Sequence, residues 1–138
     1  MKTPFMNQAA YTPRQRQEIE PPSLLQTRQE IPLLRLTTSF QTIVTARADA
    51  YFLVDGLWIA DISASADSYY LCLVAPAGTA TAANAVAWDV AVTANTTAPV
   101  IGGVGLLVPP SYTLQAAADA NDRLNIFGWG WNIVGDAA

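Results

Sequence analysis

From residue 36 onward the chain alternates apolar and polar positions in short runs cut by turn residues. Leu36, Thr38, Phe40, Thr42 and Val44 alternate with Thr37, Ser39, Gln41 and Ile43. Successive strand side chains point to opposite faces, so this run predicts a strand with one face buried. A longer aromatic and β-branched run covers residues 51–63, with Asp55-Gly56 inside it as a turn or bulge signal. Residues 69–74 predict another strand, ended by Pro76 and Gly78. Val86, Trp88, Val90 and Val92 alternate with Asp89 facing the other way, and residues 95–98 read as a turn. Residues 100–108 form an apolar run loosened by Gly102, Gly103 and Gly105, and Pro109-Pro110-Ser111 is the next turn. Residues 112–118 and 124–134 close the series. About seven or eight short strands with turns between them predict an all-β protein, an antiparallel β-sandwich of jelly-roll-like type. The alanine-rich stretch 80–87 suits close packing against neighbours.

The first 34 residues follow a different grammar. They hold five of the nine prolines and five of the seven glutamines. Proline fixes φ and pushes the preceding residue toward extended conformations. The segment therefore reads as an extended N-terminal arm, residues 1–34, preceding a sandwich domain, residues 35–138. Short helical turns are expected at most at 14–20 and 23–30, the second capped by Ser23. Ordering about 30 residues costs tens of kcal/mol of backbone entropy, which a partner surface can offset. Fully extended, the arm reaches on the order of 110 Å, enough to cross a neighbouring subunit. Its apolar anchors are Phe5, Tyr11, Leu24, Leu25 and Ile31, while Arg14, Arg16 and Arg28 are placed to pair with acidic neighbours.

Charge sharpens the division. The 138-residue chain is 51% hydrophobic and only 13% charged, against roughly 25% charged in a typical soluble domain. Residues 1–35 carry five basic and three acidic side chains, a net +2; the remainder carries two arginines against eight aspartates, a net −6. The body lacks the basic footprint of a nucleic-acid-binding protein. No apolar run is long enough to predict a membrane span, and the N-terminus lacks the apolar run of a secretory leader. Asn95-Thr96-Thr97 is accordingly read as a turn and not as a glycosylation acceptor. With no histidine, Ser-His-Asp and Cys-His catalysis is excluded. A single cysteine, Cys72, makes no internal disulfide and is expected to be a buried small hydrophobe.

Few side chains stand out as candidates for chemistry. Phe127, Trp129, Trp131 and Ile133 recur at period two and share one strand face, with Gly128 and Gly130 on the other. Together with Trp58 and Trp88, these aromatics are expected in the core or at a subunit interface. A sugar platform using Trp129, Trp131 and Trp58 is the alternative. Asp49, Asp55, Asp61 and Asp67 recur every six residues. In a continuous strand each step spans roughly 20 Å, so they are expected to be separate turn or surface groups and not one ion site. Asp119, Asn121 and Asp122 are expected to build a turn. Gly102-Gly103-Val104-Gly105 lacks the Gly-Lys-Ser/Thr of a phosphate-binding loop. The body contains no glutamate, and its aspartates sit beside turns, which disfavours a glycosidase-like carboxylate pair. No catalytic residue, metal or cofactor is expected.

A set of turn and strand motifs carries a family likeness. They run Leu73-Val74-Ala75-Pro76-Ala77-Gly78, Ala82-Ala83-Asn84-Ala85, Val92-Thr93-Ala94-Asn95-Thr96-Thr97, Gly105-Leu106-Leu107-Val108-Pro109 and Ile126-Phe127-Gly128. In these, residues 38–134 resemble a small β-sandwich family found among virion proteins of tailed bacteriophages. Pro110 stands where the family pattern has glycine, and Trp129-Gly130-Trp131 extends the final strand beyond the usual stop. The resemblance implies a non-enzymatic structural role in a phage particle, assembled in the host cytoplasm and acting as a symmetric homo-oligomer, with a trimer favoured. A capsid decoration or cement protein comes first, its partner being the major capsid protein. A neck, collar or tail-fibre attachment protein is the alternative, and a carbohydrate-binding module the second alternative.

Overall fold

The computed structural model of the chain describes residues 25–101 and 105–134. They form nine strands: β1 (Leu25–Arg35), β2 (Gln41–Thr45), β3 (Tyr51–Asp61), β4 (Asp67–Val74), β5 (Ala85–Val92), β6 (Thr97–Ile101), β7 (Leu106–Val108), β8 (Thr113–Ala118) and β9 (Leu124–Val134). Two antiparallel sheets result. One has the order β1-β9-β3-β6, with β7 also paired to β3; the other has the order β2-β8-β4-β5. The chain passes back and forth between the sheets, so that its first strands lie beside its last. This is the strand order of a jelly roll, the double Greek key that the turn spacing predicted.

The two inner faces meet in one core. Phe52, Leu57, Ile59, Leu124 and Ile126 of the first sheet pack against Leu71, Leu114 and Ala116 of the second, all fully buried. Alternation explains the selection: on β9, Leu124 and Ile126 point inward and Phe127 outward. Inward-facing Gly130 then leaves room for the Phe52 ring, since a Cβ there would collide with it.

The structure corrects several boundaries. The body includes residues 25–34, assigned to the arm, which form most of β1, an edge strand among the described residues, in register with β9 (Leu25 opposite Val134, Arg28 opposite Trp131). The same pairing replaces the helical turn expected at 23–30. Ile31, expected to anchor on a neighbour, is 3% exposed in its own core. The strand expected from residue 36 starts only at Gln41; the preceding bend places Leu36 in the core, its N–H donating to the Leu124 carbonyl. On β5 the alternation breaks. Tyr69 pairs with Val90, Leu71 with Ala87 and Cys72 with Ala85, so extra residues are accommodated at Trp88-Asp89 and at Val86. Asp89 takes a left-handed φ of 55° there. Such bulges are a common feature of exposed sheet edges.

Candidate functional site

The outer face of the β1-β9-β3-β6 sheet gathers the aromatic side chains. Phe127, Trp129, Trp131 and Ile133 line β9, all half-buried. Their neighbours on β3 are Trp58 opposite Phe127, Leu53 opposite Trp131 and Tyr51 opposite Ile133. Pro99 of β6 lies beyond Trp58, and Leu107 of β7 beyond Leu53. Tyr51 and Leu107 are 45% and 47% exposed. On the opposite flank β1 contributes Arg28 and Glu30, paired at 3.0 Å.

A bulge on β3 organises the middle of this face. Val54 pairs with Gly130 and Gly56 with Trp129, so Asp55 is the extra residue. Its carboxylate Oδ2 accepts from both indoles, from Trp129 Nε1 at 3.3 Å and from Trp131 Nε1 at 3.2 Å. Gly56 sits under Trp129. A Cβ there would lie 2.5, 2.6 and 2.8 Å from three consecutive carbons of the six-membered ring. Near-equal distances mean that the ring presents its face, not its edge, to Gly56. From β1 the Arg28 guanidinium carbon stands over the same ring, 5.5 Å from its centroid, in cation–π range. Gly56 and Arg28 thus both crowd the Trp129 ring from within the chain.

A second aromatic group lies on the outer face of the other sheet. Trp88 is stacked with Phe40, with ring centroids 6.3 Å apart and planes at 24°, and meets Tyr70 edge-on at 4.8 Å. Tyr70 donates to Asp89 at 3.4 Å, and burial, with the Asp89 charge second, pushes its phenol pKa up. Trp88 itself is 44% exposed. Phe40 and Tyr70 carried no distinguishing signal in the sequence, because three separate segments bring them together.

The structure thus corrects the core half of the aromatic expectation. Trp58, Trp88, Phe127, Trp129 and Trp131 all lie outside the buried core. Of the arm residues singled out, Phe5, Tyr11, Arg14, Arg16 and Leu24 lie outside the described residues, while Leu25 is 66% exposed at the start of β1.

The aspartates also depart from expectation. Asp61 and Asp67 are each 3% exposed, not surface groups. The chain leaves one sheet after Asp61 and enters the other at Asp67, and the intervening turn folds them around Ser63. Asp61 Oδ1 accepts from the Ser63 N–H at 2.8 Å and from its hydroxyl group at 2.9 Å. The same hydroxyl group lies 2.7 Å from Asp67 Oδ2, and Arg123 meets Asp67 Oδ1 at 3.3 Å. The Ser63 bond, aided by Arg123 and opposed by burial, holds the Asp67 carboxyl below its ordinary pKa. Asp61 Oδ2 is buried without a hydrogen-bond partner. Asp49 pairs with Arg47 on the surface at 2.8 Å. Asn121 accepts from the Thr38 N–H at 2.9 Å. Among the described residues no group of three or more histidine, cysteine or acidic side chains is arranged to hold a metal ion. Cys72 is fully buried; its thiol donates to the Thr81 carbonyl at 3.3 Å, and burial raises its pKa.

Of these features, the face with Asp55 at its centre gathers the largest group of partly exposed aromatic side chains among the described residues, and no protein-family model, curated protein or solved structure matches the chain.

Proposed function

We propose that the chain is a non-enzymatic structural subunit of a bacteriophage virion, a capsid decoration or cement protein acting as a homo-oligomer, with a trimer favoured. Its body packs against neighbouring copies, and its N-terminal arm, residues 1–24 ahead of β1, anchors it to adjacent subunits. The observation that carries this reading is the outward aromatic face on the sheet whose edge strand continues directly from the arm. Half-exposed rings there gain about 25 cal/mol for each Å² of apolar surface they lose to a neighbour. An eleven-residue strand is about 37 Å long and four strands are about 19 Å wide, so the face covers on the order of 700 Å². A standard interface buries about 800 Å² on each partner. The face alone comes close to that, and an arm laid beside it supplies the rest.

A sugar platform needs ring faces open to solvent. Trp129 lies with one ring face on Gly56 and with the Arg28 guanidinium in cation–π range of the ring, which leaves less open ring for a glycan and favours a protein partner.

The test is the mass of the purified full chain by multi-angle light scattering across a dilution series. A stable trimer or larger ring is expected; a monomer at every concentration overturns the reading. Copy number in purified virions carrying the tagged chain separates the two particle positions. Abundance matching the capsid shell supports decoration, and abundance matching one ring supports the neck or tail-fibre attachment alternative.

A further inference from the structure

We propose that residues 1–24 of one copy lie across the outer aromatic face of a neighbouring copy, with prolines against the partly exposed rings of Trp131 and Tyr51 and basic side chains at Asp55. This rests on the assembly reading above and names the surface that the arm meets.

Three observations converge on it. The first is position. Leu25 pairs with Val134, so the arm joins the body at the margin of this face, beside Ile133 and Tyr51. The second is chemistry. The segment contains Pro4, Pro13, Pro21 and Pro22. Proline-rich chain favours the polyproline II form, which docks on aromatic-lined surfaces at low entropic cost because it is already extended. The face offers that surface. The third is charge. Among the described residues Asp55 accepts only from two neutral indoles, and no cation pairs with it. Lys2, Arg14 and Arg16 in the segment supply the missing charge, and a guanidinium suits both a carboxylate and an aromatic ring.

Length and direction favour a neighbour over the same copy. Twenty-four residues in polyproline II form extend about 75 Å, roughly twice the about 37 Å length of the face. Pro21-Pro22 stands just before β1, and each proline keeps the residue before it out of the helical region, in an extended or turn conformation; a segment extended through them runs off the end of its own sheet. A segment continuing outward meets the next copy instead.

The experiment uses the full chain. Tyr11 is replaced by the photo-crosslinker p-benzoylphenylalanine, and this light chain is co-assembled with an equal amount of isotopically heavy chain lacking the probe. After irradiation, mass spectrometry should find the light segment joined to heavy peptides spanning 51–58 or 127–133. Asp55→Lys in the heavy chain should abolish that product. Cross-links confined to the light chain itself, cross-links to the Phe40–Tyr70–Trp88 group, or no cross-link overturn the assignment. Light scattering on the same sample separates the two failures. An oligomer with cross-links elsewhere sinks the surface and leaves the assembly reading standing, whereas a monomer sinks both.

Discussion

Two glycine-to-alanine substitutions, on opposite faces of the same sheet, test the division between core and outer face. At Gly130 an added Cβ would collide with the Leu53 carbonyl oxygen and the Phe52 ring, whose Cζ lies 2.7 Å away. Neither can give way: the carbonyl belongs to the backbone of a central strand, and Phe52 is fully buried. Overpacking of this kind costs typically 1–3 kcal/mol, and a collision with backbone belongs at about the upper end. Loss of glycine's unfolded-state freedom returns about 0.4–1 kcal/mol, leaving a net destabilisation of about 2 kcal/mol. At Gly56 the three atoms nearest the added methyl all belong to the Trp129 ring, the first at 2.5 Å. That indole lies on the outer face and can swing away, losing its Asp55 hydrogen bond and its Arg28 contact. Those are worth about 1 kcal/mol or less each at an exposed site, and the same entropic gain offsets part of the loss. Urea denaturation at one fixed protein concentration should therefore rank Gly130→Ala below Gly56→Ala by about 1–2 kcal/mol with unchanged m. Tryptophan emission of the native state should shift in Gly56→Ala and stay put in Gly130→Ala. Equal stabilities, or a larger loss at Gly56, would refute the assignment of faces.

Other expectations follow from the buried polar groups. Ser63→Ala removes the hydroxyl group between two buried carboxylates and should cost about 1–3 kcal/mol by thermal or urea unfolding; a neutral result would mean the turn does not hold them. Asp67 has a folded-state pKa below its ordinary 3.8, so its contribution is fully present above that value and drains away as pH falls through the folded value. Urea midpoints followed from neutral pH down to about pH 2 should therefore drop below pH 4, less steeply in Ser63→Ala than in the native chain. Cys72 should react with a thiol reagent only as fast as the fold opens, and at the free-thiol rate in denaturant; rapid labelling of the native chain would contradict its burial.

The sequence made the β9 row legible because alternation is a local signal. Large rings at 127, 129 and 131 with glycines between them leave one arrangement for a strand. Asp55-Gly56 was legible as a bulge or turn for the same reason. Strand β1 was not, because it sits at an edge with most of its side chains exposed, so little alternation marks it. Pro32 and the glutamines around it also gave it the composition of the arm. Asp61 and Asp67 misled for a geometric reason. Six residues span roughly 20 Å only if the chain runs straight, and here it changes sheets between them. The Phe40–Tyr70–Trp88 group depends on contacts between distant segments that no local pattern encodes.

Gly128 and Gly130 point inward, so the core opposite β9 is filled from β3, and the large side chains of β9 between 127 and 131 all face out. An aromatic side chain removes about 150–250 Å² from contact with water when wholly buried. At about 25 cal/mol per Å² that is several kcal/mol for each ring, and rings left half-buried retain a good part of it for association. On the assembly reading proposed above, folding and association thus draw largely on different residues of one strand. Trp131→Ala should therefore cost the isolated fold about 2–3 kcal/mol, the worth of the buried part of its ring and of its indole hydrogen bond, short of the roughly 3–5 kcal/mol of a core aromatic truncation. The same substitution should lower the mass measured by light scattering at concentrations where the native chain is assembled. Phe52→Ala should do the reverse, weakening the fold more, by roughly 3–5 kcal/mol through its core, while leaving the outer face, and so the assembled mass below its melting temperature, unchanged. If Trp131→Ala destabilised the fold as much as Phe52→Ala and left the mass intact, the rings of β9 would belong to the fold and not to the interface.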